Sequence, residues 1–171
     1  MTETCPGCRA ELEGVDTVTH RYIGASPACW DTYTRLLAGD PPMVASTLGS
    51  LLVDAYAAQH PGGDSPQATQ SAAVHLVVLE AMLGHGMALG LAVPARVAAV
   101  EVGRQGDGYP KLYPVPWSWE LTIADVAEAE TATERGLVAN RYIRSVWEAW
   151  RELHGPRIDE WHQAARQLMK H

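Results

Sequence analysis

The chain has no phenylalanine, only three cysteines, no basic run and no long apolar stretch. Each shortage excludes something. Without phenylalanine, the large aromatics are six tryptophans and six tyrosines. All of them carry a polar handle, so several are expected to line a cavity or a polar seam. Three cysteines cannot pair completely. The start, Met1-Thr2-Glu3-Thr4-Cys5, has neither a basic nor an apolar leader character. Together these features point to a cytoplasmic, reducing setting and to metal or thiol chemistry over disulfides. The formal net charge of −7 without a basic cluster argues against a nucleic-acid partner. The longest apolar stretch, around 72–83, is broken by His75 and Glu80 and is too short to cross a bilayer, so no membrane partner is expected.

What is present is enough for a folded core. The chain has 171 residues, 47% of them hydrophobic, which suits a single domain over 1–171 and excludes general disorder. The three cysteines are placed for metal binding. Cys5-Pro6-Gly7-Cys8 has the C-x-x-C spacing with which two thiolates close on one ion. Ser26-Pro27 reads as an N-cap followed by a first helical proline, which puts Cys29 in the first helical turn. There it faces free backbone N–H groups and the positive end of the helix dipole, both of which favour the thiolate. A thioredoxin-type redox pair would need a βαβ context, which the flanking sequence lacks. A knuckle, a possible hairpin arm over 17–23 and a helix led by a cysteine follow the order of a treble-clef zinc module. The usual second helical ligand is missing, since Thr32 and Tyr33 occupy its region.

The expected architecture is mostly α: a helical bundle over 26–171 with a small, treble-clef-like metal-knuckle module over 1–25 packed on it. Helices are expected over 27–38, 44–59 and 66–83, the last buried nearly all round. His60 precedes Pro61, which ends the second helix. A strand is an option at 97–102. The Pro- and Trp-rich segment 113–119 reads as a flap over a cavity or as a loop stapled to the surface. Thr122 and Asp125 form a capping-box start. Helices then run to 134 and over 137–154, and Gly155-Pro156 stops one helix and restarts another to 169.

Zinc is the expected cofactor, held by Cys5, Cys8, Cys29 and a histidine. His20, His60, His75 and, less favoured because of its glycine-rich setting, His85 compete for the fourth place. His75 is favoured, because an imidazole in so apolar a helix is costly unless it is bonded or coordinated. The other reading of His75 is a core histidine satisfied by Ser71 or a carbonyl. Asp54, Tyr56 and His60 make a second polar group, with Tyr56 and His60 on one helix face, and are the candidate catalytic acid/base set. The same residues also suit an ordinary polar helix end.

Four segments together resemble a family of small, uncharacterised bacterial proteins common in actinomycetes. They are Cys5-Pro6-Gly7-Cys8, His20 to Pro27, Asp54-Ala55-Tyr56 with Gln59-His60-Pro61, and Gln70-Ser71 with Val74-His75-Leu76. The resemblance implies no activity, only that these motifs belong together. Two functions follow. One is an enzyme, a zinc-associated lyase, cyclase or hydrolase acting on a small-molecule substrate. The other is a non-catalytic binding or regulatory module with a structural zinc, whose carboxy-terminal tryptophans serve recognition. A homodimer is compatible with either.

Overall fold

Side-chain caps start most of the helices in this computed structural model, which describes residues 1–170. Ser26, Ser46, Ser65 and Thr131 each accept a hydrogen bond from a backbone N–H in the first turn that follows. Among the described residues these and other starts yield one small hairpin and seven α-helices. The hairpin pairs β1 (Thr2–Thr4) antiparallel to β2 (Glu11–Glu13), with Glu3 opposite Leu12. Helix α1 spans Pro27–Gly39, α2 Pro41–Val44, α3 Thr47–Gln59, α4 Pro66–Leu79, α5 Ala92–Gln105, α6 Ile123–Glu128 and α7 Ala132–Leu168. A π-helical turn, Glu80–Gly84, continues α4.

Helices α4 and α7 touch each other, and both touch α3 and α5, so these four form the bundle. Helices α1 and α6 pack beside it, with α6 against α7. The main core runs from Cys5 and Cys29 through Leu52, Tyr56, Leu79, Ile143 and Trp150. No helix among the described residues is long and apolar enough to cross a membrane.

Four local expectations need correction. Residues 17–23 form no strand; only Ile23 makes an isolated bridge, to Pro61. Val18 stands almost fully exposed, so β-branched side chains there have no sheet to pack against. Residues 97–102 are helical, because Ala95, Ala98, Ala99 and Gly103 form a small-residue stripe at helical spacing that is buried in the bundle. Asp40 caps the short α2, which splits the helix expected over 44–59. Lastly, α7 runs through Gly155-Pro156 without a break. Its buried stripe of Trp147, Trp150, Ile158, Trp161 and Ala165 continues across the proline, and this packing outweighs one lost helical hydrogen bond. The same burial removes these tryptophans from any recognition surface. Trp117, at 79% exposure, is the one that faces solvent openly.

Candidate metal centre

The amino-terminal hairpin is built around its turn. The Cys5 N–H donates to the Ala10 carbonyl and the Arg9 N–H to the Cys5 carbonyl, while Arg9 takes a left-handed φ of 68°. This folds Cys5 and Cys8 toward one point. Helix α1 brings the third thiol there: Ser26 Oγ accepts from the Cys29 N–H, with Cys29 in the first turn as its cap implies. The Ser26 N–H donates to Cys5 Sγ across 3.4 Å, joining the hairpin to the helix start.

The fourth group is His60, not the favoured His75. One ligand atom from each of Cys5, Cys8, Cys29 and His60 lies within 4.8 Å of all the others, and all four residues are buried. Cys29 Sγ is 3.3 Å from His60 Nε2 and 3.8 Å from Cys8 Sγ. The reason is local. His60 sits just past the last turn of α3, where its backbone leaves the helix (φ −120°, ψ 58°) and its ring turns toward the hairpin. His60 Nδ1–H donates to the Tyr56 carbonyl across 2.8 Å, which leaves the Nε2 lone pair directed at the sulfurs. Gly7 makes room, since a Cβ there would come within 2.5 Å of the imidazole.

His75 has a different partner. Its Nδ1–H donates to Asp54 Oδ1 across 2.6 Å, and Arg96 donates to both oxygens of the same carboxylate at 2.9 and 2.7 Å. Asp54 is fully buried, and this trio ties α3, α4 and α5 together. The cost of a histidine on an apolar helix is therefore met by a carboxylate rather than by a metal. His20 is exposed and accepts from the Tyr22 N–H, away from the cluster.

The acid/base set does not converge. Asp54 is held by Arg96 and His75, while Tyr56 and His60 lie at the sulfur cluster. Burial, and then the neighbouring Cys29, push the Tyr56 phenol far above its usual range. It stays protonated and donates to Cys29 Sγ over 3.6 Å. Tyr33 stacks on Tyr56 at 3.9 Å between centroids, and Trp30 closes the aromatic wall.

The electrostatics of the three sulfurs suit a cation. Hydrogen bonds from Cys29 and then Cys8 lower the Cys5 thiol far below its usual value. Hydrogen bonds to Cys5 and Cys8, and then burial, push the Cys29 thiol far up. At Cys8 the Cys29 hydrogen bond pulls down, but the Cys5 hydrogen bond, burial and the Cys5 charge prevail and leave it raised to about 12. Alone, the three sulfurs favour one thiolate at Cys5 over thiolates at Cys8 and Cys29. A divalent ion removes that limit by replacing the thiol protons. Three sulfurs and one imidazole so close together could hold a metal ion.

Two features beside this cluster go beyond the sequence reading: the role of Gln59, and the point to which the expected loop staple is fixed. Gln59 is fully buried and bridges the elements, donating to the Leu121 carbonyl and accepting from the Tyr142 hydroxyl. Trp119 Nε1–H donates to the Gly7 carbonyl across 2.9 Å, so the 113–119 loop is stapled to the metal knuckle itself. The unusual density of tryptophan and proline in that loop was the only sequence signal for it.

A family model, described as a family of unknown function (DUF5946), matches residues 3–151. The chain belongs to that family. The matched range contains the whole sulfur cluster, the Asp54 trio and the stapled loop. No curated protein and no solved structure matches the chain.

Proposed function

We propose that this member of the family is a small-molecule-binding module whose binding groove is organised by a structural zinc ion on Cys5, Cys8, Cys29 and His60. The carrying observation is the Trp119–Gly7 hydrogen bond, which fastens the 113–119 loop to the metal knuckle. Between them lies a groove of about 320 Å³, lined by Pro6, Gly7, Arg9, Pro61, Lys111 and Trp117. That size suits a small ligand. Pro6 and Gly7 sit between two of the sulfur ligands, and Pro61 follows the histidine ligand. One wall of the groove is thus set by the ion and the other is pinned to it. The exposed Trp117 ring and the Arg9 guanidinium favour a planar or anionic ligand.

An enzyme working by acid/base chemistry at zinc has less support. Both His60 nitrogens are committed, Tyr56 stays protonated, and the Asp54 carboxylate is occupied by Arg96 and His75. Four protein ligands also complete a tetrahedral shell, and three thiolates make zinc a weak Lewis acid.

The test is metal analysis of the purified full chain beside Cys29→Ser and His60→Ala. About one tightly held zinc per chain is expected from four closed ligands, reduced in both variants. Unchanged zinc in Cys29→Ser would refute the ligand set. A thermal shift by small anions that persists unchanged in Arg9→Ala with Trp117→Ala would refute the groove.

A further inference from the structure

A second group of metal-binding side chains lies at the far end of α4. The chain turns after His60, enters α4 at Pro66 and reaches Glu80 fourteen residues later, about 20 Å along the helix axis. Glu80 is 3% exposed. Its Oε2 accepts from Trp147 Nε1–H across 2.8 Å, and its Oε1 has His85 Nε2 at 3.6 Å. Among the described residues no lysine or arginine pairs with it. A buried carboxylate so lightly compensated is expensive.

The backbone is bent to bring these groups together. In an α-helix, residues five apart point about 140° away from each other around the axis. Glu80–Gly84 is wound instead as a π turn, with the His85 N–H donating to the Glu80 carbonyl, and the wider winding returns His85 to the side of Glu80. Gly84 completes the cradle, because a Cβ there would overlap the Glu80 carboxylate. His85 Nε2–H donates to Asp159 Oδ1 of α7 across 2.7 Å, a hydrogen bond whose proton an ion would have to displace. His162, three residues further on the same helix face, stacks on His85 with centroids 4.3 Å apart.

His162 points to a missing ligand. It is 2% exposed, and its buried Nε2 has no hydrogen-bond partner. A neutral imidazole nitrogen with a free lone pair or an unplaced proton is costly inside a protein unless something binds it. Both histidines, though neither carboxylate, line a groove of about 400 Å³ that opens to solvent beside Met87, Leu91 and two cations, Arg166 and Lys170.

We propose that Glu80, His85 and Asp159 form a second, exchangeable site for a divalent first-row transition ion, with the unpartnered His162 ring stacked on His85 as the group that turns in to complete it. One ligand atom from each of Glu80, His85 and Asp159 already lies within 4.8 Å of the other two. Two carboxylates and two imidazoles favour an ion of intermediate hardness, unlike the thiolate cluster. Arg166 on the groove wall opposes an incoming cation, so the second site holds its ion less tightly than the first.

The test uses the full chain loaded with one zinc at the thiolate cluster and titrated with Co²⁺, counted by equilibrium dialysis and followed by visible absorption. Expected is one further equivalent, with weak d–d bands and no thiolate-to-cobalt charge transfer. His85→Gln and Asp159→Asn alter part-exposed side chains and leave the core packing intact. Each should weaken this equivalent by more than the ~10–100-fold that loss of an outer-shell partner costs. Gly84→Ala, which displaces the Glu80 carboxylate, should weaken it as well. Saturation at the single zinc, or a second equivalent that both surface variants retain unchanged, would overturn the site.

Discussion

The two ends of α4 handle metal-type ligands in opposite ways. At the Cys5, Cys8, Cys29 and His60 end, every ligand residue is buried and the outer groups are already in place: the Tyr56 hydroxyl on Cys29, the Tyr56 carbonyl on His60 and the Ser26 N–H on Cys5. At the Glu80 end, two of the proposed ligands are buried, and His85 and Asp159 stand 31% and 44% exposed. An ion held in the first arrangement would be part of the fold, as a disulfide would be in an oxidising compartment. The second, if it holds an ion, would let it come and go. Softness of the donors and access by solvent change together here, and both follow from which elements supply the ligands. A tight hairpin turn and two helix ends make the closed site, whereas a distorted helix turn and the open flank of α7 make the other.

The largest expected effect separates the two ends by metal removal. A strong chelator should strip the groove site at once with little change in melting temperature. Stripping the sulfur cluster should unfold the amino-terminal module, because structural zinc in small domains contributes on the order of 10 kcal/mol or more to folding. Circular dichroism melts with and without chelator check this. Equal melting curves after complete zinc loss would place the cluster outside the fold's stability.

Next in size is Asp54→Ala, which leaves the Arg96 guanidinium and His75 without their shared carboxylate. Removal of one partner from a buried ion pair costs roughly 3–5 kcal/mol. Denaturant unfolding should fall by that order while zinc content stays at the wild-type level. A loss of zinc with little loss of stability would instead tie Asp54 to the metal centre. The smallest effect is expected from Trp119→Phe, which deletes the hydrogen bond to the Gly7 carbonyl while keeping an aromatic ring. About 1 kcal/mol should be lost, with the loop above the knuckle exchanging its amide hydrogens faster and the Glu80 end unaffected.

Much of the closed site was legible because its signals are local. Ser26 and Pro27 locate Cys29 within its helix, and the C-x-x-C spacing pairs Cys5 with Cys8 whatever follows. The fourth ligand was not legible, because the choice between His60 and His75 depends on which side of α3 faces α4. Asp54, on α3, claims His75 and leaves His60 to the sulfurs. The Glu80 cluster was hidden for a related reason. A helical reading separates Glu80 from His85, and only the π turn reunites them. Its other half lies beyond a proline that sequence logic takes as a helix stop. Locally, Gly155-Pro156 does favour a stop, but the continuous apolar stripe on α7 decides the matter over a longer range than the eye takes in. The mostly helical outcome itself followed from the Ser-Pro starts and the helical spacing of leucine and alanine.

The burial of the sulfur cluster has a kinetic consequence. With Cys5, Cys29 and His60 at 0% exposure and Cys8 at 3%, an ion held there would be almost shut off from solvent while the hairpin, α1 and the end of α3 stay closed. An isotopically labelled zinc ion can then enter only when that assembly parts. The exchange half-time becomes a stopwatch for one particular opening of the molecule, readable without perturbing the chain, and it should track the slowest-exchanging amides of α3 rather than the concentration of free metal.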